Sequence, residues 1–142
     1  MKSQLNITVR GYHIDYFGHV NHARYVEFLE EARWHYLEEN RLFGPIHEIG
    51  AAHVVSRISI KYLYPAGVGS ILSIHTDVSS RGTNEFDMAQ TITCPALDRP
   101  VVKARVTNVF VDEKGQPRPI DRQILNIWPD LAKAPQTSGP EK

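Results

Sequence analysis

Hydrophobic and polar positions alternate strictly at the start of the chain, where Leu5, Ile7 and Val9 face away from polar neighbours, and this period of two predicts a half-buried strand over residues 5–10. Gly11 ends it. A polar and aromatic stretch follows, and then the period changes. From Asn21 to Leu42, Tyr25, Val26, Leu29, Ala32, the stem of Arg33, Tyr36 and Leu37 recur at close to 3.6-residue spacing. That pattern predicts one long helix, capped by Asn21 and stopped by Gly44-Pro45, with a length of ~33 Å that suffices to cross a five-stranded sheet. Beyond it the period of two returns over residues 54–64, 71–79, 85–94 and 100–112, with short Gly-containing connections between. One strand, one long helix and four strands predict an α+β fold, the helix lying on a curved five-stranded antiparallel sheet read as a meander. Residues 119–128 predict a closing helix, and the proline-rich stretch 129–142 a loose tail, so the domain is expected to span 1–128.

The length of 142 residues fits one domain with an adequate core. Sixteen Lys and Arg balance sixteen Asp and Glu, which removes any global field for holding nucleic acid or an anionic membrane. No run of apolar residues is long enough to cross a membrane or to resemble a signal peptide. Cys94, the single cysteine, excludes an internal disulfide and Cys-pair zinc patterns, and points to a cytoplasmic setting.

Candidate chemistry concentrates just before the long helix, in His13, Asp15, His19, Asn21 and His22. Three readings fit this spacing. A carboxylate beside the unpaired N–H groups of a helix start can act as base or nucleophile on a carbonyl polarised by those amides. His19 and His22 with Asp15 can also ligate a metal, or the whole cluster can be turns, a helix cap and surface histidines. Elsewhere, Gly67-x-Gly69 is a turn and not a dinucleotide fingerprint, and no nucleophile elbow occurs. Glu27, Glu30, Glu31, Glu38 and Glu39 against Arg24, Arg33 and Arg41 read as a solvated helix face of i,i+3 and i,i+4 pairs, with Glu30 or Glu31 able to assist catalysis if turned inward. Arg57, Lys61, Arg81, Lys103 and Arg105 make the sheet half mildly basic, either ordinary surface charge or a rim for a phosphorylated ligand.

Taken together, the residues VRGYHIDYFGHVNHARYVEFLEEARWHYLEEN resemble the signature of hotdog-fold acyl-CoA thioesterases of the 4-hydroxybenzoyl-CoA thioesterase superfamily, most closely its long-chain acyl-CoA thioesterase III type. The likeness continues through Tyr62-Leu63-Tyr64-Pro65-Ala66 and covers about residues 5–128. It implies a hotdog fold assembled as homodimers and often tetramers, with hydrolysis of a fatty, long-chain acyl-CoA and no metal or organic cofactor. The catalytic carboxylate falls on Asp15 and the oxyanion donors on the backbone N–H groups of His22 and Ala23. Substrate contacts are expected from Gly18, His19, Asn21, Tyr25, Phe28, His53, Tyr62 and Arg81, with a second subunit supplying walls near His53. His22 departs from the family pattern, which repeats asparagine there. Two rivals are a hotdog hydratase or dehydratase working through His13 or His19, for which the Pro-Gly helix start is missing, and a non-catalytic acyl-CoA binding protein.

Overall fold

A computed structural model describes residues 3–137. The chain runs through β1 (Ser3–Thr8), α1 (His22–Glu39), α2 (Phe43–Glu48), β2 (Ala52–Tyr62), β3 (Ile71–Arg81), β4 (Glu85–Cys94), β5 (Arg99–Val111), α3 (Arg122–Ile127) and α4 (Pro129–Lys133), with short 3₁₀ turns at Gly11–His13 and Pro95–Leu97. The five strands form one antiparallel sheet in the order β1-β3-β4-β5-β2, and α1 packs on one face, the α+β hotdog arrangement. Only β3, β4 and β5 form a meander. The connection over residues 63–70 carries the chain from one edge of the sheet to the other side, so β2 pairs with β5 and not with β3.

Helix α1 is shorter than its apolar period suggests. Asn40 closes it and Arg41 takes a left-handed φ of 54°, a conformation that ends a helix before the predicted Gly44-Pro45 stop. Gly44 and Pro45 instead lie in the first turn of α2, where a missing N–H costs no helical bond. On the sheet side of α1, Tyr25, Phe28, Leu29, Ala32, Arg33, Tyr36 and Leu37 are buried, while Val26 is only half-buried. Two apolar clusters result. Phe28, Leu29, Leu72, Ile74, Ile92 and Val102 fill the one near the helix start, and Tyr36, Phe86, Phe110, Ile124, Trp128 and Leu131 the other.

The expectation of a loose tail from Pro129 is corrected by α4. Leu131 is fully buried, Arg81 Nε donates to its carbonyl at 2.7 Å, and Thr137 N–H donates to Arg81 O at 2.8 Å. Leu131 and Trp128 supply the apolar area that holds this segment, a signal masked by the prolines around them. Residues 138–142, the rest of the expected tail, lie outside the described residues. Among the described residues no helix is long and apolar enough to cross a membrane.

Candidate active site

Between β1 and α1 the chain makes a small hairpin that carries Asp15. Ile14 bridges Val20, Asp15 N–H donates to His19 O at 2.8 Å, and Gly18 N–H donates to Asp15 O at 3.0 Å. Gly18 adopts φ 80°, which a side chain would strain, and so lets the chain reverse. The hairpin is fastened to the fold by Asn21 N–H on His13 O at 2.8 Å and Val20 N–H on Ala66 O at 2.9 Å. These bonds set Asp15 beside the first turn of α1.

One oxygen of the half-buried Asp15 carboxylate is committed, since Oδ1 accepts from the N–H groups of Phe17 at 2.9 Å and His19 at 3.2 Å. Oδ2 is left for other work. At the helix start Asn21 Oδ1 accepts from Ala23 N–H at 2.9 Å, a regular N-cap. Ala23, expected as an oxyanion donor, is therefore already occupied. His22 N–H has no acceptor among the described residues, and it stands at the positive end of the helix dipole. The His22 ring is exposed, and its carbonyl accepts from the Tyr62 hydroxyl at 3.1 Å, which ties the end of β2 to the helix start.

Behind this corner Tyr25 is only 4% exposed, packed against Phe28 and Tyr62 at ring distances of 6.0 and 5.8 Å. Its hydroxyl has no hydrogen-bond partner among the described residues. Burial, foremost, and then the charges of Cys94, Tyr62 and Asp15 push it up to about 12, so it stays a neutral phenol at neutral pH. Phe28 is buried, whereas Tyr62 is half exposed. His13 is a packing residue: its Nδ1 accepts from Arg10 N–H at 2.8 Å, its ring meets Phe28 edge-on at 4.9 Å, and burial lowers its pKa. That engagement opposes the hydratase role considered for it. His19 is exposed and holds Asp15 through its backbone. Among the described residues no three His, Cys, Asp or Glu side chains gather as metal ligands.

Two expected residues lie elsewhere. Arg81 stands at the far end of β3, opposite the buried Phe86 in the register, with its Nε committed to Leu131. Arg57, Lys61, Lys103 and Arg105 share the other face of the sheet, around a shallow cavity of about 730 Å³. His53 lies at the first residues of β2, in a second cavity against the other end of α1, and its Nδ1 meets Asn108 Oδ1 at 3.4 Å. Sequence reasoning placed His53 in the site but missed Arg33 and Asn108 beside it. Arg33 reads in the sequence both as a stem on the apolar stripe and as part of the solvated charged face, and its burial against Gln90 corrects the second reading.

Comparison with known proteins agrees with this architecture. The sequence profile described as the thioesterase-like superfamily matches residues 9–134. The long-chain acyl-CoA thioesterase FadM of Escherichia coli is 40% identical over 113 residues, 80% of this chain and 86% of that protein. The crystal structure of YbaW, a probable thioesterase from Escherichia coli, superposes with a TM-score of 0.85 at 33% identity, covering 91% of this chain and 98% of its own. A 1,4-dihydroxy-2-naphthoyl-CoA thioesterase from Synechocystis, 18% identical with a TM-score of 0.79 over 93% of this chain and 98% of its own, shares the fold. With a profile spanning nearly all of the domain and a relative this similar, the chain belongs to the thioesterase-like superfamily and is a hotdog-fold thioesterase.

Proposed function

We propose that the protein hydrolyses long-chain fatty acyl-CoA to the free acid and coenzyme A, with Asp15 as base or nucleophile and His22 N–H as the oxyanion donor. The observation that carries this reading is the division of labour at Asp15, where Oδ1 fastens the turn and Oδ2 stays available beside an unoccupied helix-start amide. In the base form of the step, Oδ2 takes a proton from water, the oxygen attacks the acyl carbon, and the carbonyl oxygen gathers charge on His22 N–H. The carbonyl then re-forms, the C–S bond breaks, and coenzyme A leaves as a thiolate that takes the proton back from Asp15, giving the free acid, the thiol and the original carboxylate. Ala23 N–H contributes if Asn21 rotates away from it. Gly18 and His19 shape the hairpin, Asn21 caps the helix, and Tyr25, Phe28 and Tyr62 wall the acyl side. Arg57, Lys61, Lys103 and Arg105, with Arg81 at the edge, offer charge to the coenzyme A phosphates.

Self-association belongs to the same reading. β2 is an eleven-residue edge strand on which Val54, Val55, Ile58 and Tyr62 remain 36% to 51% exposed, an open and apolar edge of the kind proteins normally protect. Antiparallel pairing of two such edges brings the Tyr62 end of one copy to the His53 end of the other and closes the site with walls from both. The lone, buried Cys94 is compatible with action in the cytoplasm.

The test is thiol release across acetyl-, benzoyl-, octanoyl- and palmitoyl-CoA, with light scattering of the same sample. We expect kcat/KM to climb with chain length, at ~0.8 kcal/mol of transfer energy per buried methylene, in a dimer or tetramer. A maximum at acetyl- or benzoyl-CoA, or a fully active monomer, overturns it.

A further inference from the structure

The reaction corner and the β2 edge leave one group of exposed apolar side chains without a role. Tyr12, Tyr16, Phe17, Val68, Ile71 and Leu97 lie at the same end of the sheet, where β1, β4 and β2 finish and β3 and β5 begin. Backbone bonds hold the loops of this end together. Val9 N–H donates to Ser70 O and Gly69 N–H to Val9 O, both at 2.8 Å. A Cβ built on Gly67 would stand 3.9 Å from Gly18 O, so the tip of the Asp15 hairpin and the loop of residues 65–70 run side by side. Both tips protrude. Tyr16 is 96% exposed, Phe17 76% and Val68 64%, and the rings of Tyr16 and Phe17 meet edge-on at 5.4 Å.

The charge pattern of these loops matches their exposure. Residues 16–18 and 62–74 carry no Asp, Glu, Lys or Arg. At their margins stand Arg10, Lys61 and Arg99, the last with its guanidinium 4.3 Å over the Tyr64 ring. Lys61 is opposite Lys103 in the register, so the basic face of the sheet begins at this margin. The acids on the same segments are Asp98 and Asp15, and Asp15 has one oxygen tied into its own turn. None of the six apolar residues lies on β2, the edge proposed above for self-association, and none lines either of the two cavities. A protein partner is ordinarily gripped by recesses that take its anchoring side chains. Uncharged, protruding tips with tyrosines and a cationic margin fit a bilayer surface better. There the apolar groups enter the acyl boundary, phenol hydroxyls stay among the headgroups, and lysine and arginine meet anionic phosphates.

We propose that this end of the sheet docks on the surface of a phospholipid bilayer bearing anionic headgroups, with Tyr16, Phe17 and Val68 entering the headgroup boundary. The balanced net charge of the chain supplies no long-range pull, so the contact is short-range, peripheral and reversible. It stands whether or not Asp15 hydrolyses thioesters, and its test involves no turnover.

The intact protein is sedimented with vesicles of phosphatidylcholine alone and of phosphatidylcholine and phosphatidylglycerol in equal parts, at an ionic strength of ~0.1 M. The expected result is binding to the mixed vesicles about fivefold or more stronger than to phosphatidylcholine. Tyr16→Ser combined with Val68→Ser, at two exposed positions, should weaken binding to the mixed vesicles by about tenfold or more. Tyr16→Trp, read against Trp34 and Trp128, should gain fluorescence quenching from brominated lipid in the same vesicles. Absence of sedimentation, equal binding to both vesicles, a double variant within about twofold of wild type, or no added quenching in Tyr16→Trp each overturn the proposal. So does a double variant whose mass by light scattering falls below that of wild type, because a second copy then covers this end. The quenching measurement decides the matter even where the double variant fails to fold.

Discussion

Replacing Asp15 by asparagine separates a catalytic carboxylate from a turn residue. The substitution keeps Oδ1, so the bonds from Phe17 N–H at 2.9 Å and His19 N–H at 3.2 Å persist and the hairpin stays closed. Two hydrogen bonds at ~1 kcal/mol each are what the turn gains from this side chain, and the amide retains most of that, so stability should move by less than ~1 kcal/mol. Asp15→Ala, by contrast, forfeits both and should lose ~1–2 kcal/mol. The rate behaves differently. Both variants lack the basic, nucleophilic Oδ2, and loss of a positioned base lowers turnover by ~10²–10⁴, equivalent to ~3–5 kcal/mol on the barrier. The assay is kcat for thiol release from a long-chain acyl-CoA, with urea denaturation of the same preparations to establish that each is folded. Asp15→Asn with intact stability and a kcat within about threefold of wild type would refute the assignment. It would also leave the residue as a fastener of its own turn.

Leu131→Ala should cost ~2–5 kcal/mol in urea denaturation, because the side chain is fully buried beside Trp128; a loss under ~1 kcal/mol would mean that α4 is not part of the core. His53 makes stability pH-dependent through its burial next to Arg33 and Asn108, with a folded pKa of about 4 against an ordinary value of 6.5. The unfolded chain binds the proton first as pH falls, so the contribution is complete above 6.5 and declines toward 4, by up to ~3 kcal/mol. His53→Gln should flatten the upper part of that window, and an unchanged slope between wild type and variant counts against a neutral buried ring. Exhaustive chelation should leave thiol release unaltered, whereas activity that disappears and returns with zinc would restore the metal reading of His19 and His22.

The sequence by itself determined the five strands, the long helix and the closing helix before Pro129, though neither α2 nor α4. The period of two over residues 5–10 and after residue 52, and the period of 3.6 between them, reflect which side of each element meets water, and that is a local property. Asn21 as cap and Asp15 before it were legible for the same reason, since turn and cap chemistry is settled within a few residues. Strand order was not local. Residues 63–70 read like a hairpin connection, yet β2 pairs with β5, because pairing is decided by which edges complete the sheet over α1. The segment after Pro129 looked unburied until Leu131 joined the cluster of Tyr36, Phe86 and Phe110, which happens only when α4 folds back against β3. At the site, the bond from Ala23 N–H to Asn21 Oδ1 leaves one of the two expected amides, that of His22, without an acceptor among the described residues. Arg33 is the sharpest case. On the helix it is one more stem in an apolar stripe; only the approach of Gln90 on β4 and His53 and Asn108 on neighbouring strands makes it a buried cation at the end of a cavity. Charge burial is a property of what surrounds a side chain in space, and no spacing along the chain encodes it.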